Sequence, residues 1–284
     1  MRLNADGCVC VEDGRIALHA EGILLAALAG GRGKGMKKEP DYEFVDMHCH
    51  ILPEVDDGSE SMEMTLAMLR IARENHIGAM IATPHHKGGH HNVPPEETAR
   101  LIGEIQRAGQ AAGIEVPALY PGNEVLYDSS VVDALREGRI QTMGGSDYVL
   151  VEFRPWEEYG YLREGLRALL YEGYRPILAH CERYECLVKD AALAEELHRN
   201  GVSLQVNAGS VIPKIFDPAS GFVRRLLEEE IVDFIGTDAH KDRGRTPEML
   251  SAWRYLVRKY NPEYVREICR ENAGRIVGEQ RNCP

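Results

Sequence analysis

The stretch Tyr42-Glu43-Phe44-Val45-Asp46-Met47-His48-Cys49-His50 starts a pattern that recurs along the chain. A run of strand length, residues 42–47, leads straight into His48 and His50. Residues at i and i+2 of a strand share one face, so both imidazoles can point at one ion while Cys49 faces away. Further short β-rich runs follow at 79–83, 116–121, 148–153, 175–179, 203–206 and 232–236. Most are nearly continuous apolar stretches, as in parallel strands buried on both faces. Amphipathic stretches such as 61–75, 95–112, 161–172 and 191–200 lie between them. Strand and helix alternating in this way predict an α/β fold, either a parallel barrel or a doubly wound sheet. Residues 247–279 read as closing helices, with a break at Asn261-Pro262. No internal repeat is visible.

A chain of 284 residues accommodates one α/β barrel of about 250 residues. The net charge of -12 leaves no basic excess to release counterions from a nucleic-acid backbone. A phosphorylated substrate stays open, because bound cations can reverse the local field. The cysteines, Cys8, Cys10, Cys49, Cys181, Cys186, Cys269 and Cys283, are odd in number and form no CxxC pair. They suggest free thiols in a reducing cytoplasm, not a disulfide framework or a zinc ribbon. No apolar run is long enough to cross a bilayer, and no signal peptide is expected. Residues 1–40 differ from the rest and end near Gly30-Gly31-Arg32-Gly33-Lys34-Gly35, where Lys34 is not followed by Ser or Thr as in a phosphate loop. They are expected to be a disordered extension, and Met36 to be an alternative start of translation; residues 41–284 form the expected catalytic domain.

His and acidic residues gather where the predicted strands end. His48 and His50 close the first, and a loop with Asp56-Asp57-Gly58 follows. His85 follows the second, Glu124 the third, and Glu152 lies in the fourth; His180 follows the fifth, and Asp238 and His240 the seventh. The C-terminal ends of barrel strands are where catalytic groups sit. Any one of these has an ordinary explanation: a rim histidine, or Glu152 pairing with Arg154. Together they would repel or lie unsatisfied unless cations neutralised them. Imidazole and carboxylate without thiolate suit manganese, iron, cobalt or zinc. The number of candidates exceeds the needs of one ion, so two or three ions are expected, able to make hydroxide from water and to clamp phosphoryl oxygens. Arg183 and Arg245 follow ligand-bearing strands, and a guanidinium fork fits phosphate oxygens. The plainer alternative pairs them with Glu182 and Asp242. His86, His90 and His91 carry less weight, as do Trp156 and Tyr159, which could line a cleft or simply pack. No Cys-x5-Arg loop supports a cysteine nucleophile.

These motifs resemble the polymerase-and-histidinol-phosphatase (PHP) family: Asp46-x-His48-x-His50, Thr83-Pro84-His85, His180 and Asp238-x-His240. The resemblance is closer to one branch, the bacterial manganese-dependent protein-tyrosine phosphatases of capsule and exopolysaccharide operons. It rests on His50-Ile51-Leu52-Pro53, Asp56-Asp57-Gly58, Gly122-Asn123-Glu124, Glu152-Phe153, Ala179 to Tyr184, Gln205 to Ala208 and Thr237 to Arg245. It implies a distorted TIM-like (β/α)7 barrel of the PHP type. It implies metal ligands at His48, His50, Asp57, His85, Glu124, Glu152, His180, Asp238 and His240. Phosphate binding falls to Arg183 and Arg245, with an acid role for His240 or Asp238 left open. The implied cofactor is Mn2+, two or three ions, with Fe, Co, Zn or Mg as substitutes. The implied substrate is phosphotyrosine on a bacterial tyrosine kinase that controls polysaccharide synthesis, in the cytoplasm, with any membrane association made through that kinase. One alternative is a PHP hydrolase of a small ester such as histidinol phosphate. Another is a non-catalytic, metal-stabilised module that binds the kinase. Whether the chain forms a homo-oligomer is left open.

Overall fold

All strand pairs among the described residues are parallel. The computed structural model describes residues 39–278; the expected N-terminal extension therefore falls, save its last two residues, outside them. The strands are β1 (Phe44–Cys49), β2 (Ile77–Ala82), β3 (His85–Lys87), β4 (Ala118–Pro121), β5 (Glu124–Leu126), β6 (Tyr148–Glu152), β7 (Arg175–Leu178), β8 (Ser203–Asn207) and β9 (Phe234–Gly236). They form a three-stranded sheet in the order β1-β2-β4 and a six-stranded sheet in the order β3-β5-β6-β7-β8-β9. A parallel bridge between Cys49 and Ala239 joins the end of β1 to the segment after β9.

Each of the seven predicted runs overlaps a strand. The added elements are β3 and β5, which resume extended pairing after a break. Pro84 interrupts the first of these paths, since it has no N–H to give to a ladder. Asn123 stitches the break: its side chain donates to the Pro84 carbonyl at 3.0 Å and accepts from the Gln141 N–H at 2.8 Å. The consequence is that β3 and β5 begin with His85 and Glu124, paired in register.

The helices form for readable reasons. In Met62–Glu74, Ser61 caps the N-terminus by accepting from the Met64 N–H at 3.2 Å, and Thr65, Met68, Leu69 and Ala72 form the buried stripe. Burying a side chain such as Leu69 contributes roughly 1.5–3 kcal/mol. The helix Pro218–Glu228 lies outside the predicted elements. Asp217 caps it, Pro218 opens it, and Phe222, Val223, Leu226 and Leu227 are buried. The break expected at Asn261-Pro262 is a helix start, with the Asn261 side chain accepting from the Glu263 N–H. The helices of the C-terminal stretch include a π-helical turn, Glu267–Glu271.

Two apolar clusters lie on opposite faces of the strands. The larger includes Cys49, Met80, Val149, Val151 and Leu178, the smaller Val45, Met47, Ala79, Leu150 and Ile177. Val45 and Met47 share one cluster while Cys49 sits in the other, so the alternation changes phase within β1. Pairing with β2 is irregular between Asp46 and Cys49. That local bulge accounts for the change of phase between Met47 and Cys49.

Candidate metal centre

Three groups of donor atoms converge at the strand ends, each with its atoms within 4.8 Å of one another: His50, Asp57, His85 and His240; His48, His50, Glu124 and Asp238; His85, Glu124 and Glu152. Eight of the nine residues named from the sequence belong to them. The ninth, His180, lies beside them, its Nε2 2.8 Å from Glu124 Oε1 and 3.8 Å from Glu152 Oε2. Glu124 is the hub, with Oε2 3.3 Å from His48 Nε2, 3.1 Å from His50 Nε2 and 3.2 Å from His85 Nδ1. Of the adjacent pair of aspartates, Asp57 faces the donors, 3.2 Å from His85 Nε2 and 3.6 Å from His240 Nε2.

The backbone is shaped to bring these groups together. A Cβ on Gly58 would lie 2.4 Å from the His50 carbonyl oxygen, so the Asp56-Asp57 loop can fold onto β1 only with glycine there. A Cβ on Gly236 would lie 2.8 Å from the Cβ of His48, so β9 needs glycine to approach β1. His180 and Asp238 both adopt the left-handed region, at φ 34 and 52. Such strain in non-glycine residues gathers at functional sites.

A layer of polar groups behind the donors sets which ring nitrogen is free. The His180 N–H donates to Gln205 Oε1 at 2.7 Å, which fixes that atom as an acceptor. His48 Nδ1, 3.1 Å from the same oxygen, must then carry the proton, leaving Nε2 as the lone-pair nitrogen. Gln205 Nε2 donates to Asn207 Oδ1, and Asn207 Nδ2 donates to Asp238 Oδ2. His50 Nδ1 donates to Asp56 at 2.8 Å, and His240 Nδ1 donates to the Asp238 carbonyl at 2.9 Å. All three imidazoles thus aim Nε2 at the cluster. His48 Nε2 and His50 Nε2 are only 3.3 Å apart. Two lone pairs at that distance call for a positive charge between them, and the imidazole and carboxylate donors fit a divalent transition metal. The buried Nδ1 of His85, which faces Glu124, has no hydrogen-bond partner, as expected of a nitrogen facing a cation.

Charge follows from this arrangement. Burial opposes a charged His50, but its hydrogen bonds to Asp56 and Glu124 prevail and raise it to about 10. Burial likewise opposes charge on His48, and Glu124 and Asp238 outweigh it to raise the imidazole. Glu124 is driven well below the carboxylate range despite its burial, by His48, His180 and His50. Without cations, His48 and His50 hold protons that counter the neighbouring carboxylates. His240 moves the other way: burial, then His50, then Arg245 lower it to about 4, which makes it a neutral lone-pair donor. Asp46 is not among the donors. It accepts from the N–H and hydroxyl of Thr237 at 2.8 and 2.6 Å, which ties β1 to the end of β9. Burial raises it to about 6.

Arg183 and Arg245 both reach Asp238, Arg245 Nη2 at 2.7 Å from Oδ1 and Arg183 on Oδ2. They stand on a cleft of ≈ 290 Å³ with Asn207, Ser210, Lys214 and Thr246. Their partner is thus a member of the donor groups, not the Glu182 and Asp242 of the plainer alternative. Asp56, Gln205 and Asn207 are the supporting residues; they lie in motifs quoted from the sequence, which assigned them no role. Polar Gln205 and Asn207, alternating with apolar Leu204 and Val206 in a strand run, were the available signal. His86 is buried, while His90 and His91 are exposed outside the cluster. Trp156 is exposed and Tyr159 half-buried. Cys49 and Cys181 are buried in the larger apolar cluster, and with Cys186 and Cys269 they are free thiols.

The family described as "Capsular polysaccharide synthesis, CpsB/CapC" has a model that matches residues 44–278. The tyrosine-protein phosphatase CpsB of Streptococcus pneumoniae is 28% identical over 241 residues, covering 83% of this chain and 99% of that protein. The tyrosine-protein phosphatase YwqE of Bacillus subtilis is 27% identical, covering 83% and 92%. A crystal structure from a study of YwqE and CpsB, described as metal-dependent tyrosine phosphatases, superposes with a TM-score of 0.76 at 26% identity, covering 83% of this chain and 95% of that one.

Proposed function

The chain belongs to the capsular polysaccharide synthesis CpsB/CapC family, and from that premise we propose that it is a metal-dependent protein-tyrosine phosphatase. The observation that carries the reading is the position of Asp238, which is both a member of a donor group and the anchor of Arg183 and Arg245. That arrangement supports reading the donor groups as a metal cluster and the two arginines beside it as phosphate-binding forks. Its metal ligands are His48, His50, Asp57, His85, Glu124, Glu152, His180, Asp238 and His240, and its cofactor is manganese, two or three ions, with iron, cobalt, zinc or magnesium as substitutes. Bound there, such ions lower the pKa of water and neutralise phosphoryl charge.

The chain's own residues do the rest. Gln205, Asp56 and the Asp238 carbonyl hold Nδ1 protons on His48, His50 and His240, so that Nε2 stays free. Arg183 and Arg245 bind and orient the phosphate, countering charge on its equatorial oxygens. The leaving phenol has a pKa near ~10 and needs less protonation than an alkyl alcohol. The low pKa of His240 suits a ligand better than a proton donor. We read the strands as a distorted (β/α)7 barrel, with β2 and β3 as one interrupted strand and β4 and β5 as another. The bridge between Cys49 and Ala239 supports that closure. Among the described residues no helix is long and apolar enough to cross a membrane. A cytoplasmic enzyme acting on a bacterial tyrosine kinase of capsule synthesis fits the family.

A substrate panel tests the reading. Manganese-loaded protein would be given a phosphotyrosine peptide, a phosphoserine peptide and histidinol phosphate at equal concentrations. The reading expects phosphate release from phosphotyrosine at least ~100-fold faster than from phosphoserine, on the order of 3 kcal/mol in barrier. A preference for histidinol phosphate would move the function to small-molecule metabolism.

A further inference from the structure

The segment between β8 and the helix Pro218–Glu228 exposes apolar side chains beside the arginine cleft. Ile212 is 42% exposed, Ile215 86% and Phe216 101%. A turn built to cap a surface would carry polar residues here. This one places three large apolar side chains in water, which marks an interaction site. Lys214, between them in sequence, lines the cleft together with Arg183 and Arg245. The loop is therefore continuous with the site assigned above to the phosphate.

The loop is also held in shape. The Asp217 N–H donates to the Lys214 carbonyl at 3.4 Å, closing a turn with Ile215 and Phe216 at its tip. The Ser220 hydroxyl accepts from the Lys214 N–H at 2.9 Å. Asp217 caps the following helix through the Ala219 N–H. Phe216 adopts φ 63, the position of a turn that favours glycine or asparagine. A bulky aromatic residue is strained there, and among the described residues nothing covers its ring. Strain at a residue that contributes nothing to packing points to a role outside the fold.

We propose that the loop from Ile212 to Asp217 is a docking lip for the substrate polypeptide. Ile215 and Phe216 contact apolar side chains flanking the phosphotyrosine while the phosphate lies at Arg183 and Arg245. This rests on the phosphatase reading. It deepens it by assigning polypeptide recognition to a named loop, distinct from the metal ligands. The expected substrate segment is extended and carries an apolar residue next to the phosphotyrosine. A lipid surface is the competing occupant for an exposed Ile-Phe tip beside a lysine.

The test uses the manganese-loaded full chain and two variants, Phe216→Gly and the double variant Ile215→Ser with Phe216→Ser. Glycine suits the positive φ, so Phe216→Gly should keep or raise the thermal midpoint while removing the ring. Three readouts are compared: kcat and KM for a phosphotyrosine peptide with a flanking leucine, the same for p-nitrophenyl phosphate, and sedimentation with vesicles of phosphatidylglycerol and phosphatidylcholine. The lip predicts a rise in peptide KM of about tenfold or more, from the loss of buried apolar contact. It also predicts p-nitrophenyl phosphate turnover within about twofold. Unchanged peptide kinetics in both variants would overturn the proposal. So would wild-type vesicle binding that both variants lose while peptide KM stays the same. Failure of the wild-type protein to release phosphate from any peptide would instead overturn the phosphatase reading, so the two failures are distinguishable.

Discussion

Gln205→Leu removes the acceptor on which the orientation of His48 depends. In the native chain Gln205 Oε1 accepts from the His180 N–H at 2.7 Å and from His48 Nδ1 at 3.1 Å. Gln205 and His48 are fully buried and His180 nearly so, and water cannot replace what is lost without entering the site. Leucine leaves two buried donors unsatisfied at about 1–3 kcal/mol each, or roughly 2–6 kcal/mol in all. A domain of this size shifts its midpoint by about 2–4 °C per kcal/mol. The imidazole of His48 would also be free to turn, and loss of such a supporting partner weakens metal affinity by about 10–100-fold. Gln205→Glu keeps an acceptor for both donors but loses the N–H given to Asn207, so it should retain metal better than leucine. The assay is manganese affinity against a fluorescent chelator, with thermal unfolding of the metal-free protein in parallel. Native metal affinity in Gln205→Leu would refute the argument that Gln205 sets the His48 tautomer.

The other predictions concern the donor groups and the arginines. Glu124→Gln removes the charge at the hub of four imidazoles and should nearly abolish turnover, with fewer ions bound per chain by elemental analysis. Arg183→Ala should lower kcat by about 10²–10³-fold while leaving metal content unchanged. Metal loss in that variant would mean that the arginine mainly holds Asp238 in place. His50 is raised to about 10 in the metal-free protein. An incoming ion must displace its proton, so apparent manganese affinity should rise with pH, by up to about tenfold per unit for each proton displaced. Affinities measured at pH 6.5 and 8 check this, and equal values would contradict it. The same raised pKa means that the His50 contribution to stability of the metal-free protein is complete below the ordinary value of 6.5 and is lost as pH rises through about 10.

Much of this was legible because buried parallel strands have a plain signature. Apolar runs ending in His or acid gave both the strands and their functional ends, and His48, His50, His85, Glu124 and Asp238 lie where that pattern put them. The interruptions were less visible. Thr83-Pro84 and Gly122-Asn123 mark a break only when the Asn123 side chain is seen bridging it. The choice between Asp56 and Asp57 was not decided by spacing. Adjacent residues in a loop can face any direction, and only the folded turn shows Asp56 on His50 and Asp57 toward His85 and His240. The helix Pro218–Glu228 carries an Asp-Pro start signal, but its apolar stripe is short. The anchoring of Arg183 on Asp238 could not be foreseen, because it joins the end of β7 to the end of β9 across 55 residues.

The central claim is that these donors hold ions on which phosphotyrosine hydrolysis depends. The most direct measurement is a manganese titration of chelator-stripped protein, following bound metal and phosphate release from a phosphotyrosine peptide in the same samples. The account predicts no release without metal and activity that rises with occupancy to two or three ions per chain. Full activity in the stripped protein, or no activity at full occupancy, would contradict it.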